Sequence, residues 1–192
     1  MKRISLILLL IILAGTDISD AQKPAMPQTS DWPSLMIHIK INETLDFCGE
    51  PVALHLQEVR ERLEKELLLT IWDRPQVALW IKRSTRYLPI IENMLRENDM
   101  PDDLKYVAII ESALRPHAGS RKGAIGFWQF LKSTGRKYGL KINTEIDERR
   151  NIFTSTQAAI DYFKALYEML GSWTLSAAAY NMGELGLQSE MA

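Results

Sequence analysis

Cysteine is nearly absent: of 192 residues, only Cys48 carries a thiol. One thiol cannot close an internal disulfide, so the fold must rest on its apolar core. Cys48 itself reads as a small buried or half-buried apolar residue. An excess of one charge is also lacking, with 23 Lys and Arg against 24 Asp and Glu and a formal net charge of −1. Nucleic-acid binders usually carry a strong basic excess, so no nucleic-acid partner is expected, while a neutral or mildly charged polymer stays open. His38, His55 and His117 show no metal-ligand spacing, and one cysteine gives no zinc pattern. No Gly-rich loop followed by Lys and Ser or Thr offers a phosphate cradle. There is no internal repeat and no low-complexity tract.

Long hydrophobic runs are missing too. The apolar run from Ile4 to Ala14 is broken only by Ser5 and falls short of the about 20 residues a spanning helix needs. Lys2 and Arg3 precede it, and Ser19-Asp20-Ala21 resembles a small-residue cleavage site. This reads as a secretory signal peptide over residues 1–21 with Gln22 as the mature start. The alternative is a retained membrane anchor. After Leu13-Ala14-Gly15, the position where a lipoprotein signal carries cysteine holds Thr16, which argues against lipid attachment there.

What is present is mainly helical periodicity. The 46% apolar fraction is enough for a sizeable core. Residues 22–50, with Pro24, Pro27 and Pro33, read as a tail or linker, with one strand-like alternation over Met36–Ile41. Residues 51–98 read as a helical segment. Leu56, Val59, Leu63 and Leu67 recur at helical spacing, and Glu58 to Glu66 reads as an exposed charged face. Asp73-Arg74-Pro75 marks a new helix start, and Pro89 is expected to kink or split that helix. Residues 99–192 form the third part. An Asp of Met100-Pro101-Asp102-Asp103 is expected to cap a buried helix over Asp103–Ala113. Residues 114–130 read as a structured, glycine-containing loop followed by a short helix, and Gly139 closes the next helical piece. Thr154 with Gln157 offers a capping box for an amphipathic helix that ends at Gly171, and a last helix runs over Thr174–Asn181. Asp147-Glu148-Arg149-Arg150 reads as a solvated or salt-bridged turn.

The chemistry centres on Glu111. On a helix it shares a face with Leu104, Val107 and Ala108, so it is not expected to be a solvated surface group. Burial disfavours the ionised form, and a carboxyl that stays protonated near neutral pH is what a glycosidic leaving oxygen requires. The plain alternative is a buried Glu satisfied by a nearby donor. After Glu111, Gly119, Gly123 and Gly126 let backbone pass close to a ligand or another segment. Trp128, Gln129 and Phe130 then offer either an aromatic and amide surface for sugars or simply core packing. Ala177-Ala178-Ala179 permits close helix approach, which brings Tyr180 and Asn181 toward a cleft near Glu111 or ends a tight helix contact at Asn181-Met182-Gly183.

Glu111-Ser112, Ser120, Gly123-Ala124-x-Gly126-x-Trp128-Gln129-Phe130 and Ala179-Tyr180-Asn181-x-Gly183 resemble, in order and spacing, the soluble lytic transglycosylase (SLT) domain. Arg86-Tyr87, Leu104-x-Tyr106 and Asp147-Glu148-Arg149 are similar to its membrane-bound lytic transglycosylase D subgroup. The resemblance covers about residues 50–183. It implies an all-α, goose-type lysozyme-like catalytic domain over 99–192, preceded by helices. It further implies cleavage of the β-1,4 bond between N-acetylmuramic acid and N-acetylglucosamine, giving a 1,6-anhydro product. Glu111 would be the single acid/base, Ser120 would hydrogen-bond near it, Gln129 would bind substrate, and Tyr180 and Asn181 would line the site. Ser112 would be structural. No metal or organic cofactor is implied. The expected partner is the peptidoglycan strand, with transient membrane association through the N-terminal signal, in the periplasm or cell envelope of a bacterium. No oligomeric state follows. Family members normally continue with further helices after the position of Gly183, so the catalytic domain is expected to be C-terminally incomplete. Two other readings stay open: a hydrolytic muramidase with a second carboxylate from Glu145, Asp147 or Glu184, and a non-catalytic peptidoglycan-binding protein.

Overall fold

A computed structural model describes residue 41 and residues 44–182. The signal reading over 1–21, His38, Gly183, Glu184 and nearly all of the Met36–Ile41 alternation lie outside the described residues. The described elements are a two-strand hairpin, β1 (Asp46–Phe47) and β2 (Glu50–Pro51), and then helices. In order, these are α1 (Gln57–Trp72), α2 (Arg74–Glu97), α3 (Lys105–Ser112), α4 (Lys132–Lys137), α5 (Ile152–Leu170) and α6 (Trp173–Met182). Short 3-10 helices at Asp102–Leu104 and Glu148–Arg150 lead into α3 and α5. The architecture is all-α, as the sequence implies.

Each helix boundary has a local cause. The Asp73 carboxylate accepts from the Gln76 amide at 3.3 Å, and Pro75 occupies the first turn of α2, where no partner for its nitrogen is needed. The helix then runs unbroken through Pro89, so the expected split does not occur. Its residues beyond Pro89, Ile91 and Leu95, are fully in the core, and that packing outweighs the lost hydrogen bond. Helix α5 begins three residues before the expected capping box. The Asn151 side chain accepts from the amides of Phe153 and Thr154 at 2.9 and 3.2 Å, while the Thr154 hydroxyl donates to the Glu148 carbonyl. Gly171, at φ +66°, ends that helix in the left-handed conformation.

Helix α3 is buried as expected, but no Asp caps it. The Asp103 carboxylate instead accepts from the backbone amide of Cys48 at 2.7 Å, tying the hairpin to the start of α3. The hairpin thereby corrects the reading of residues 22–50 as linker throughout: Phe47 is 1% exposed and packs in the main core with Ile91, Leu104 and Phe163. That core is walled by α2, α3, α5 and α6 around Trp128. Helix α1 is less engaged, with Leu63 its only fully buried side chain. Its Glu58, Glu61 and Lys65 are exposed, as its charge pattern suggests.

Candidate active site

Glu111 sits at the last turn of α3, where two successive residues, Ala113 and Leu114, adopt φ of 53° and 55°. Left-handed backbone is unfavourable for residues with a Cβ, by roughly 1–2 kcal/mol each. The chain turns sharply here because Leu114 is fully buried and the Ala113 carbonyl accepts from the Arg83 guanidinium at 3.1 Å. The turn frees the final face of α3 from the helix that follows in sequence. Glu111 is therefore half-buried, not enclosed, and opens onto a cavity of about 440 Å³.

The same cavity is bordered by Ser120, Gln129, Tyr180 and Asn181, so the residues singled out in the sequence meet at one place. Arg121 and Lys122 add two cations to the wall, and Thr134, Tyr162 and Met182 complete other parts of it. These were not picked out from the sequence, where an exposed Arg-Lys pair in a glycine-containing loop has no periodic signal. Among the described lining residues Glu111 is the only carboxylic acid.

Contacts between these residues are specific. The Asn181 amide nitrogen donates to Glu111 Oε1 at 3.1 Å, while Asn181 Oδ1 is buried with no partner among the described residues. The Tyr180 hydroxyl donates to the Trp128 carbonyl at 2.8 Å, and its ring stacks on Phe163 at 4.6 Å. Burial, then the charge of Glu111, then Tyr162 push the Tyr180 phenol well above its ordinary range. Tyr180 thus stays protonated and holds the loop carbonyl instead of acting as a base. Ser120 Oγ accepts from the Ala124 amide at 3.1 Å, and Gln129 Nε2 donates to the carbonyls of Ala118 and Gly126 at 3.2 and 2.9 Å. Both side chains therefore shape the loop while bordering the cavity.

Trp128 and Phe130 are core residues, 1% and 3% exposed, which overturns the sugar-stacking alternative for Trp128. The Trp128 indole donates to Thr156 Oγ1 at 3.0 Å, so its polar edge is satisfied inside the core. Phe130 still contributes to the cavity wall.

The Asp147–Arg150 turn is salt-bridged but not solvated, because Arg149 is only 5% exposed. Its guanidinium binds the Asp147 carboxylate at 2.7 and 2.8 Å and donates to the carbonyls of Gly123 and Phe130, each at 3.1 Å. Arg149 hydrogen bonds, then burial, then the Arg149 charge set the Asp147 carboxyl, with a net shift below the usual carboxylate range. The loop closes on this post at Gly126, where φ is +87° and an added Cβ would lie 1.7 Å from the Arg149 carbonyl oxygen. Only glycine fits there.

A second distant residue fixes α6. The Glu50 carboxylate on β2 accepts from the amides of Trp173 and Thr174 at 2.6 and 3.0 Å and from the Ser172 hydroxyl at 2.8 Å. It thus caps the helix whose far end carries Tyr180 and Asn181. Burial pushes the Glu50 carboxyl up, but the Thr174, Ser172 and Trp173 hydrogen bonds outweigh it and hold the group below the usual range. Cys48 is half-buried in the turn of this hairpin. Burial, followed by the charges of Asp103, Glu50 and Asp46, pushes its thiol far up, which favours the protonated form over the nucleophilic thiolate.

A family model described as "Transglycosylase SLT domain" matches residues 89–191. Over 139 residues the chain is 43% identical to the membrane-bound lytic murein transglycosylase D of Escherichia coli strain K12, covering 72% of this chain and 30% of that protein. The same protein of Escherichia coli O6:H1, strain CFT073, matches with the same identity and coverage. The chain spans less than a third of the length of these two relatives.

Proposed function

The chain belongs to the transglycosylase SLT domain family, whose model covers more than half of it, and on that premise we propose that it is a peptidoglycan lytic transglycosylase with Glu111 as its acid/base. Its all-α architecture is the lysozyme-like fold of that family. The observation that carries the proposal is the position of Glu111: a carboxyl at the end of a buried helix, facing a cavity that Ser120, Gln129, Tyr180 and Asn181 also border.

Glu111 protonates the oxygen that leaves as the β-1,4 bond between N-acetylmuramic acid and N-acetylglucosamine breaks. The N-acetyl group of the muramic residue stabilises the positive charge that develops at C1, a substrate-assisted exception to the paired-carboxylate pattern. The C6 hydroxyl of the same residue then bonds to C1 and returns its proton to Glu111. Atoms balance without water, and the product is a 1,6-anhydro ring. Asn181 suits an acid/base that changes state. Its Nδ2 donates to the carboxylate, and the amide turned over presents Oδ1 to the carboxylic acid proton. Ser120 and Gln129 meet the sugar substituents from the loop side of the cavity, and Tyr180 fixes that loop.

A hydrolytic muramidase needs a second carboxylate to position water. Asp147 is engaged by Arg149, and Glu145 is exposed and does not border the cavity, so neither supports the hydrolase, while Glu184, the third candidate, lies outside the described residues. The export of the chain to the bacterial envelope is part of the proposal and rests on the pattern of residues 1–21.

The test is digestion of purified sacculi by the full chain and by Glu111→Gln, with products read by mass spectrometry. Anhydro-muropeptides from the parent alone are expected. Reducing-end products would establish a hydrolase instead, and no products from the folded parent would leave a binding protein.

A further inference from the structure

The glycosidic step uses no cation, yet Arg121 and Lys122 line the cavity that Glu111 occupies. Neither has an ion-pair partner among the described residues, and both are exposed. They are not on a floppy tip. The Ser120 amide donates to the Ala124 carbonyl at 2.9 Å, the Gly123 amide donates to the Ser120 carbonyl at 3.0 Å, and the Ala124 amide donates to Ser120 Oγ at 3.1 Å. The Gly123 carbonyl is in turn gripped by the buried Arg149 at 3.1 Å. Two cations are thus presented at a fixed place by a turn that the core itself braces.

The charge balance of the cavity sets what they can meet. With Glu111 as the sole described acid in the wall, a neutral glycan would leave two cations unanswered, whereas a carboxylate-bearing one would answer them. We propose that Arg121 and Lys122 form an anion subsite for carboxylates of the bound glycan, so that the site selects acidic, muramic-acid-containing strands over neutral N-acetylglucosamine chains. This rests on the reading of the cavity as a peptidoglycan site. The carboxylate can come from the peptide stem, or, on a muramic residue without a stem, from its free lactyl group. The guanidinium offers a planar fork to either, and the lysine a point charge.

The experiment measures binding, so it does not depend on cleavage. Glu111→Gln in the full chain is titrated with three soluble oligomers of equal length: stem-bearing muropeptide chains, chains stripped of stems so that only lactyl carboxylates remain, and neutral chito-oligosaccharide. The same titrations are run with Arg121→Gln and Lys122→Gln added together, and with Lys141→Gln as an exposed cation away from the cavity. Removal of the pair is expected to weaken acidic-oligomer binding about fivefold, from two exposed charge contacts of ordinary strength, and to leave the neutral oligomer within about twofold. The parent preference should fall with added salt, and Lys141→Gln should retain it. Loss on the stem-bearing chain alone assigns the stem carboxylates, loss on the stripped chain alone assigns the lactyl carboxylate, and loss on both shows that the pair takes either one. A parent without acidic preference, or a pair variant that keeps it, overturns the subsite. Acidic preference together with an unsubstituted chain that releases no anhydro-muropeptides would sink the transglycosylase proposal and leave the subsite standing.

Discussion

Replacing Glu50 by alanine removes a helix cap supplied from more than a hundred residues away. The carboxylate accepts three hydrogen bonds, from Trp173 N, Thr174 N and Ser172 Oγ. Loss of a capping acceptor costs typically about 1 kcal/mol, and loss of a negative charge at a helix N-terminus about 0.3–1 kcal/mol more. Ser172 Oγ still accepts from the Leu175 amide at 3.2 Å, so the first turn does not lose every partner. The expected total is therefore about 2 kcal/mol, or a Tm lower by roughly 4–8 °C in a domain of this size. Glu50→Gln keeps one acceptor oxygen and should lose about half as much. The pH dependence has a definite sign. A carboxyl held below its unfolded value stabilises fully above about pH 4.5 and loses that contribution as pH falls through the lower folded value. The gap between parent and Glu50→Gln should thus be widest at neutral pH and close in acid. Thermal unfolding followed by circular dichroism at a series of pH values reads both features. Equal Tm values at pH 7, or a gap that widens in acid, would refute the capping role.

Other substitutions test the scaffold and the site. Arg149→Met leaves the Asp147 carboxylate and the Gly123 and Phe130 carbonyls without their donor, and should destabilise by roughly 3 kcal/mol in urea unfolding. Gly126→Ala forces a Cβ into the Arg149 carbonyl at positive φ and should cost more than about 3 kcal/mol, seen as loss of soluble folded protein or a large fall in Tm. Asn181→Ala removes the amide donor to Glu111, a hydrogen bond to a charged group worth about 1.4 kcal/mol or more, so anhydro-muropeptide release should slow about tenfold while the fold persists.

The features legible in the sequence are those whose causes are local. The α2 start at Asp73-Arg74-Pro75 and the α5 end at Gly171 depend on residues within one turn, and both are where the pattern puts them. Local signals mislead where two compete. Thr154 and Gln157 have the spacing of a capping box, but Asn151 reaches two amides first and the Thr154 hydroxyl is engaged by the Glu148 carbonyl. Pro89 would break an isolated helix, yet Ile91 and Leu95 lock α2 into the core beyond it. The least legible residues are Glu50 and Arg149, because their partners are remote. A Glu beside a turn and an Arg in a charged run each look solvated, and only the folded chain brings the α6 amides to one and the loop carbonyls to the other. The convergence of Glu111, Ser120, Gln129, Tyr180 and Asn181 on one cavity is legible from motif order, not from periodicity, which favours core packing for Trp128 without excluding a sugar contact.

The loop between α3 and α4 narrows what its own residues can do. Gln129 has a left-handed backbone, φ 49°, and its amide nitrogen is committed to the Ala118 and Gly126 carbonyls. A Gln with a second donor to spare could bind a sugar carbonyl. Here both protons of Nε2 have partners, so any substrate contact must use Oε1 as an acceptor. That selects donors on the ligand, a hydroxyl or the N–H of an N-acetyl group, and not its carbonyl. Ser120 is constrained the other way: its oxygen accepts from Ala124, which leaves its hydroxyl proton to give. The two loop residues are therefore complementary, one accepting and one donating, on the same side of the Glu111 cavity. If the cavity takes the glycan proposed above, an acetamido substituent, which carries both an N–H and a C=O, is the group that would answer both residues.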